Sequence, residues 1–120
     1  MELDMVSRLT NRLEGHPRLQ AENSEQDAAL LELVRSLGVA GSVFHILNEV
    51  LEQGEDLYTL LCDDQLVISF EVPRGQRSLQ AKEFVEVSAT EYRHKMGQGK
   101  NRIRLDETLK NARALLAGGA

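Results

Sequence analysis

Six basic or imidazole side chains, Arg93, His94, Lys95, Lys100, Arg102 and Arg104, fall within twelve residues that contain no Asp or Glu. Such a cluster can neutralise phosphates or carboxylates, and glycines at 97 and 99 would let the segment adapt to them. Tyr92 is the only aromatic beside it, so stacking of successive bases on a row of aromatics has no support. A second group carries the opposite charge: Glu49, Glu52, Glu55, Asp56, Asp63 and Asp64. An acidic row of this kind suits a basic protein partner, where it chiefly speeds and orients association.

Signals for catalysis or metal binding are sparse. His16, His45 and His94 are widely spaced, and none has a second His, Cys or carboxylate at ligand spacing on an obvious shared face. Cys62 is the only cysteine, so no internal disulfide forms, and near a strand end it reads as a small buried hydrophobe. Asp63-Asp64 reads as a turn pair, and neither Gly-Gln-Gly at 97–99 nor Gly-Gly at 118–119 has the context of a phosphate loop. The expectation is a protein with no catalytic residues, no metal and no cofactor.

The 120 residues suit one domain, and 42% apolar with 28% charged residues is ordinary for a folded, soluble chain. No apolar run approaches the ~20 residues of a membrane helix. The start, Met-Glu-Leu-Asp-Met, lacks a secretory pattern, so a cytoplasmic setting is expected. The net charge of −5 divides unevenly: residues 1–72 carry −10 and residues 73–120 carry +5. That asymmetry marks either a partner surface or two faces that attract each other within the fold.

Periodicity predicts the elements that must position these charges. Val6, Leu9 and Leu13 give a helix over Leu3–Glu14. Ser24, with Asp27 three residues on, opens a second helix that buries Leu30, Leu33, Val34 and Leu37 and stops at Gly38. A third is predicted from Ser42 to Gln53, with Val43, Leu47 and Val50 on one face, Phe44 and Leu51 beside them, and Gly54 as its stop. A hairpin then pairs Leu57–Cys62 with Gln65–Val72 across Asp63-Asp64, and Phe84, Val85 and Val87 suggest a further strand. Ser88 and Glu91 open a short helix over Ala89–Met96. Ile103 is placed in an extended piece before a last helix capped by Asp106, whose seam is Leu105, Leu109, Ala112 and Leu116. The expected fold class is α+β: three N-terminal helices, a central antiparallel hairpin or three-stranded sheet, and a C-terminal helix.

Over Glu32–Asn48, Gly38 fits a turn glycine, Val39 the apolar residue after it, and Phe44 and Leu47 the buried positions of a second helix. With Gly54 and the hairpin, residues 24–72 resemble a winged helix-turn-helix domain, although Val34 stands where a small residue is usual. The resemblance implies a recognition helix at Ser42–Gln53 and a wing tip at Asp63-Asp64. Neither carries a Lys or Arg, and the helix contains Glu49 and Glu52, which argues against reading a DNA groove. Acidic winged helices that bind proteins fit these residues better. The expected function is a small non-enzymatic regulatory, inhibitor or adaptor protein, meeting a basic protein partner through Glu49, Glu52, Glu55, Asp56, Asp63 and Asp64. The alternative is a nucleic-acid-binding transcriptional regulator using Arg93, Lys95, Lys100, Arg102 and Arg104. The narrow seams of the first and last helices leave open whether a second copy completes a homodimer.

Overall fold

The computed structural model describes residues 15–75 and 80–118. The helix expected over Leu3–Glu14 lies outside these residues. The described chain is α+β, with one helix, four consecutive antiparallel strands and two further helices. Helix α1 spans Glu25–Ser36, and Ser24 caps it as expected, its hydroxyl accepting the Asp27 backbone N–H. Gly38 follows at φ 80°, a left-handed conformation that a side chain would disfavour.

Residues 42–53 correct the sequence reading. Phe44–Glu52 form strand β1, not a helix, so the helix-turn-helix expected over Glu32–Asn48 has only its first helix. The apolar residues at 43, 44, 47, 50 and 51 satisfy a helical period, but 43, 44 and 47 are buried on the two faces of the sheet while Val50 and Leu51 are exposed at its far end. A β-bulge between Ile46 and Asn48 shifts the alternation midway, which hides the period of two. Gly54 at φ 88° therefore turns a tight hairpin into β2, Glu55–Cys62.

The hairpin of β2 with β3, Leu66–Pro73, is the one expected, paired from Cys62↔Leu66 to Glu55↔Pro73. Phe84, Val85 and Val87 lie on β4, Lys82–Ser88, which makes a fourth strand in the order β1-β2-β3-β4. Helix α2, Ala89–Met96, is capped by Ser88 accepting the Glu91 N–H. Helix α3 runs Lys100–Ala117, a second correction, because Ile103 is helical and Asp106 is an interior residue rather than a cap. Nothing from Lys100 to Leu105 interrupts a helix, and Gly99 at φ 132° supplies the break before it.

Helices cover both faces of the sheet at the end that carries Phe44 and Cys62, while residues 48–52 of β1 and most of β4 are exposed. Against α1 pack Phe44, Tyr58, Leu60, Cys62, Ile68, Phe70 and Val72, together with Leu30, Leu33 and Val34. On the other face Val43, Leu47, Leu61 and Val67 meet Ala89 of α2 and Leu105, Leu109 and Ala112 of α3. The last-helix seam thus packs on the chain's own sheet. No helix among the described residues is long and apolar enough to cross a membrane.

Asp63 joins the two ends of this arrangement. Its Oδ1 accepts the backbone N–H groups of Ser42 (2.8 Å) and Val43 (2.9 Å), and its own N–H donates to the Val43 carbonyl (2.6 Å). It also sits at φ 53°, which Asp tolerates better than most residues. Asp63→Ala is expected to lower stability by about 2–3 kcal/mol, read from urea denaturation, by stripping an ionised acceptor from two amides. Asp63→Asn should lose about half as much.

Candidate functional site

The segment before α1 builds the site. Leu19 donates its N–H to the Phe44 carbonyl, and Ile46 donates to the Pro17 carbonyl, so residues 17–19 lie along the outer edge of β1. Leu19 is buried on the α1 face. Alternation then turns His16 and Arg18 to the other face, the one carrying His45 and α3. Gly15 is needed here: a Cβ on it would stand 2.7–2.8 Å from the Thr108 hydroxyl and backbone.

Between this segment, β1, α2 and α3 lies a cavity of about 300 Å³, lined by His16, Leu47, Asn48, Tyr92, Met96, Asn101, Arg104 and Leu105. Its polar groups are a guanidinium, two carboxamides, a phenol and an imidazole, over an apolar floor of Leu47, Met96 and Leu105. No carboxylate is among these lining residues. The Nε–H of Arg104 is buried without an acceptor among the described residues, as are Arg18 Nε, His45 Nδ1 and, on the other side of α3, Arg102 Nε. A buried donor left unpaired costs free energy until something accepts from it.

Two histidines that the sequence separates by 29 positions meet at this corner. His16 is held down to about 4 by burial, then by the charge of Arg104 and the nearby His45. His45, only 2% exposed, is also held down to about 4, by burial and then by Arg18. Both are neutral at pH 7. Because each folded value lies below the ordinary 6.5, the unfolded chain binds more protons between about pH 6.5 and 4. Stability is accordingly complete above pH 6.5 and falls as the pH drops to 4. After allowance for solvent screening at half-buried His16, each histidine should account for on the order of 1–2 kcal/mol. A double His16→Asn, His45→Gln variant should show a flatter urea midpoint against pH over that window.

The charged residues expected to act together are dispersed. Arg93 makes a two-bond pair with Asp106 at 2.6 and 3.0 Å, and Lys95 pairs with Glu91 at 3.1 Å. Arg102 donates to the Gly97 carbonyl at 3.2 Å and stands with Arg93 and Asp106 along an open groove. Two residues along a helix is about 200°, so Arg104 lies on the opposite side of α3, facing the pocket. Lys100 is exposed at the helix start. One helix therefore divides the basic segment into two surfaces.

The acidic row divides as well. Glu49, Glu52, Glu55 and Asp56 lie at the β1–β2 end of the sheet. Asp63 and Asp64 lie at the other end of eight-residue β2, about 26 Å away. Three of the six have internal tasks: Asp56 pairs with Arg74 at 2.9 Å, Asp63 holds Ser42 and Val43, and Asp64 pairs with Arg113 at 3.1 Å. Cys62 is buried and its thiol is pushed up to about 12 by burial and the adjacent Asp63, which suits packing rather than nucleophilic attack.

Sequence reasoning missed His16, Asn48 and Asn101 as pocket residues. His16 falls in what reads as a polar connector, and Asn48 in what reads as an exposed helical position. Nothing in their local pattern signals a meeting across more than fifty residues. No family model, curated protein or solved structure matches the chain.

Proposed function

We propose that this chain is a non-enzymatic binding protein that receives an acidic side chain of a partner protein in the pocket beside β1. The observation that carries this reading is Arg104: among the described residues its buried Nε–H has no acceptor, and no carboxylate lines the cavity beside it. A carboxylate entering there would accept from Arg104, with the amides of Asn48 and Asn101 and the Tyr92 hydroxyl as further donors. The apolar floor would take the methylene or aliphatic part of the same or the next side chain. Tracking of a nucleic-acid backbone has less support, because it needs several cations on one continuous surface. Here α3 splits them, Arg93 and Lys95 are already paired, and the whole chain carries −5.

The test is fluorescence anisotropy at low salt, with a labelled peptide of repeated Glu-Leu pairs and, separately, a labelled single-stranded oligonucleotide. The peptide is expected to bind, and Arg104→Gln to weaken it tenfold to about a hundredfold, the worth of one charged hydrogen bond. Binding of the oligonucleotide alone, lost on replacing Lys100 and Arg102, would contradict the reading.

A further inference from the structure

The hydrogen bonds around Thr108 fix where the proton of His16 sits. Thr108 is fully buried, and its hydroxyl donates to the Arg104 carbonyl at 2.9 Å. The same oxygen accepts the His16 backbone N–H at 2.7 Å and faces His16 Nδ1 at 2.9 Å. A hydroxyl has one proton, and Arg104 takes it. With the hydroxyl proton directed at that carbonyl, Nδ1 is the donor, and neutral His16 then carries its proton on Nδ1 and leaves Nε2 as a bare lone pair. Nε2 has no partner among the hydrogen bonds of the described residues, and the ring lines the pocket.

We propose that the pocket binds a carboxylate together with a proton, which His16 takes up on Nε2 from solvent. This inference rests on the pocket being the binding site of the preceding reading. Among the described residues, the charged and titratable groups near His16 are Arg104 of α3 and His45 of β1, with Tyr92 of α2 on the same pocket and Arg18 acting on His45. None of these described groups is a carboxylate, so their charges oppose a second positive charge at His16. An entering carboxylate supplies the missing negative charge, and Nε2–H becomes a further donor to it. The ring need not turn, because Nδ1–H keeps its bond to Thr108. One proton is bound per carboxylate bound, and by linkage the affinity rises as the pH is lowered from 7 towards 5.

The experiment follows the imidazole nitrogens of His16 by long-range proton–nitrogen NMR on the full chain at pH 6. Three probes are added separately: the Glu-Leu peptide, glutarate and inorganic phosphate. With peptide or glutarate, Nε2 is expected to move from a lone-pair to a protonated shift. Calorimetry in buffers of different ionisation enthalpy should then give roughly one proton taken up per site. His16→Asn, whose amide can still donate to Thr108, should abolish the proton uptake and the pH dependence, and bind the peptide more weakly than the parent at pH 5. Peptide binding that depends on Arg104 while His16 stays neutral would overturn this inference and leave the binding function standing. Protonation by phosphate but not by glutarate would overturn the carboxylate assignment. If none of the probes perturbs the pocket, both this inference and the reading it rests on fall.

Discussion

Thr108→Val is expected to cost about 2–4 kcal/mol, measured by urea denaturation, although valine nearly matches threonine in shape. The side chain is wholly buried, so loss of packing contributes little. What is lost is the acceptor for the His16 N–H and for Nδ1–H, on a segment that nothing else bonds at residue 16 among the described hydrogen bonds. Both donors would be left partly buried and unpaired. The Arg104 carbonyl keeps its helical position, so α3 itself should persist. Thr108→Ser, which retains the oxygen, should lose under about 1.5 kcal/mol, the methyl alone. Thr108→Val should also free the His16 ring and weaken peptide capture, because His16 forms a wall of the pocket. A Val variant as stable as the parent would show that residues 15–19 are not held through this hydroxyl.

Phe44→Ala should be the most damaging single change, at about 3–5 kcal/mol against a total of about 5–15. The ring is 2% exposed, packed on the α1 face of β1 and close enough to Gly41 that a Cβ there would stand 3.2 Å from its Cζ. Leu51→Ala, in the same strand, should cost under about 0.5 kcal/mol, because Leu51 is 65% exposed. The pair is diagnostic. As a helix, Ser42–Gln53 would place Phe44 and Leu51 seven residues apart on one stripe, with similar costs for both. As a strand, the bulge returns Leu51 to the face of Phe44, but Leu51 lies at the exposed β1–β2 end while Phe44 lies under α1, so their costs differ.

That stretch also shows where the sequence misleads. Ser24, Ser88 and Gly38 specify helix ends through local bonds, and the hairpin of β2 with β3 has a clear period of two. Those elements could be read directly. In β1 Phe44 and Leu47 serve two covered faces, a bulge resets the phase, and Val50 and Leu51 are exposed, so a helical period appears without a helix. At Ile103 the opposite occurred: Gly99 already supplied the break that the reading placed at Asp106. The candidate site was less legible still. Arg104 stood out as one basic residue in a run, but its separation from Arg102 required knowing that α3 starts at Lys100. The meeting of His16, His45, Asn48 and Arg104 depends on residues 15–19 lying along β1, and no local pattern announces that pairing.

The account is tested most directly by titrating the Glu-Leu peptide into the nitrogen-labelled protein and mapping the perturbed amide and side-chain signals. Changes are expected to concentrate at Asn48, Tyr92, Asn101 and Arg104 and to be absent from the Arg104→Gln variant. Changes confined to the Lys100–Arg102 side of α3, or to the β1–β2 end with Glu49, Glu52 and Glu55, would contradict it.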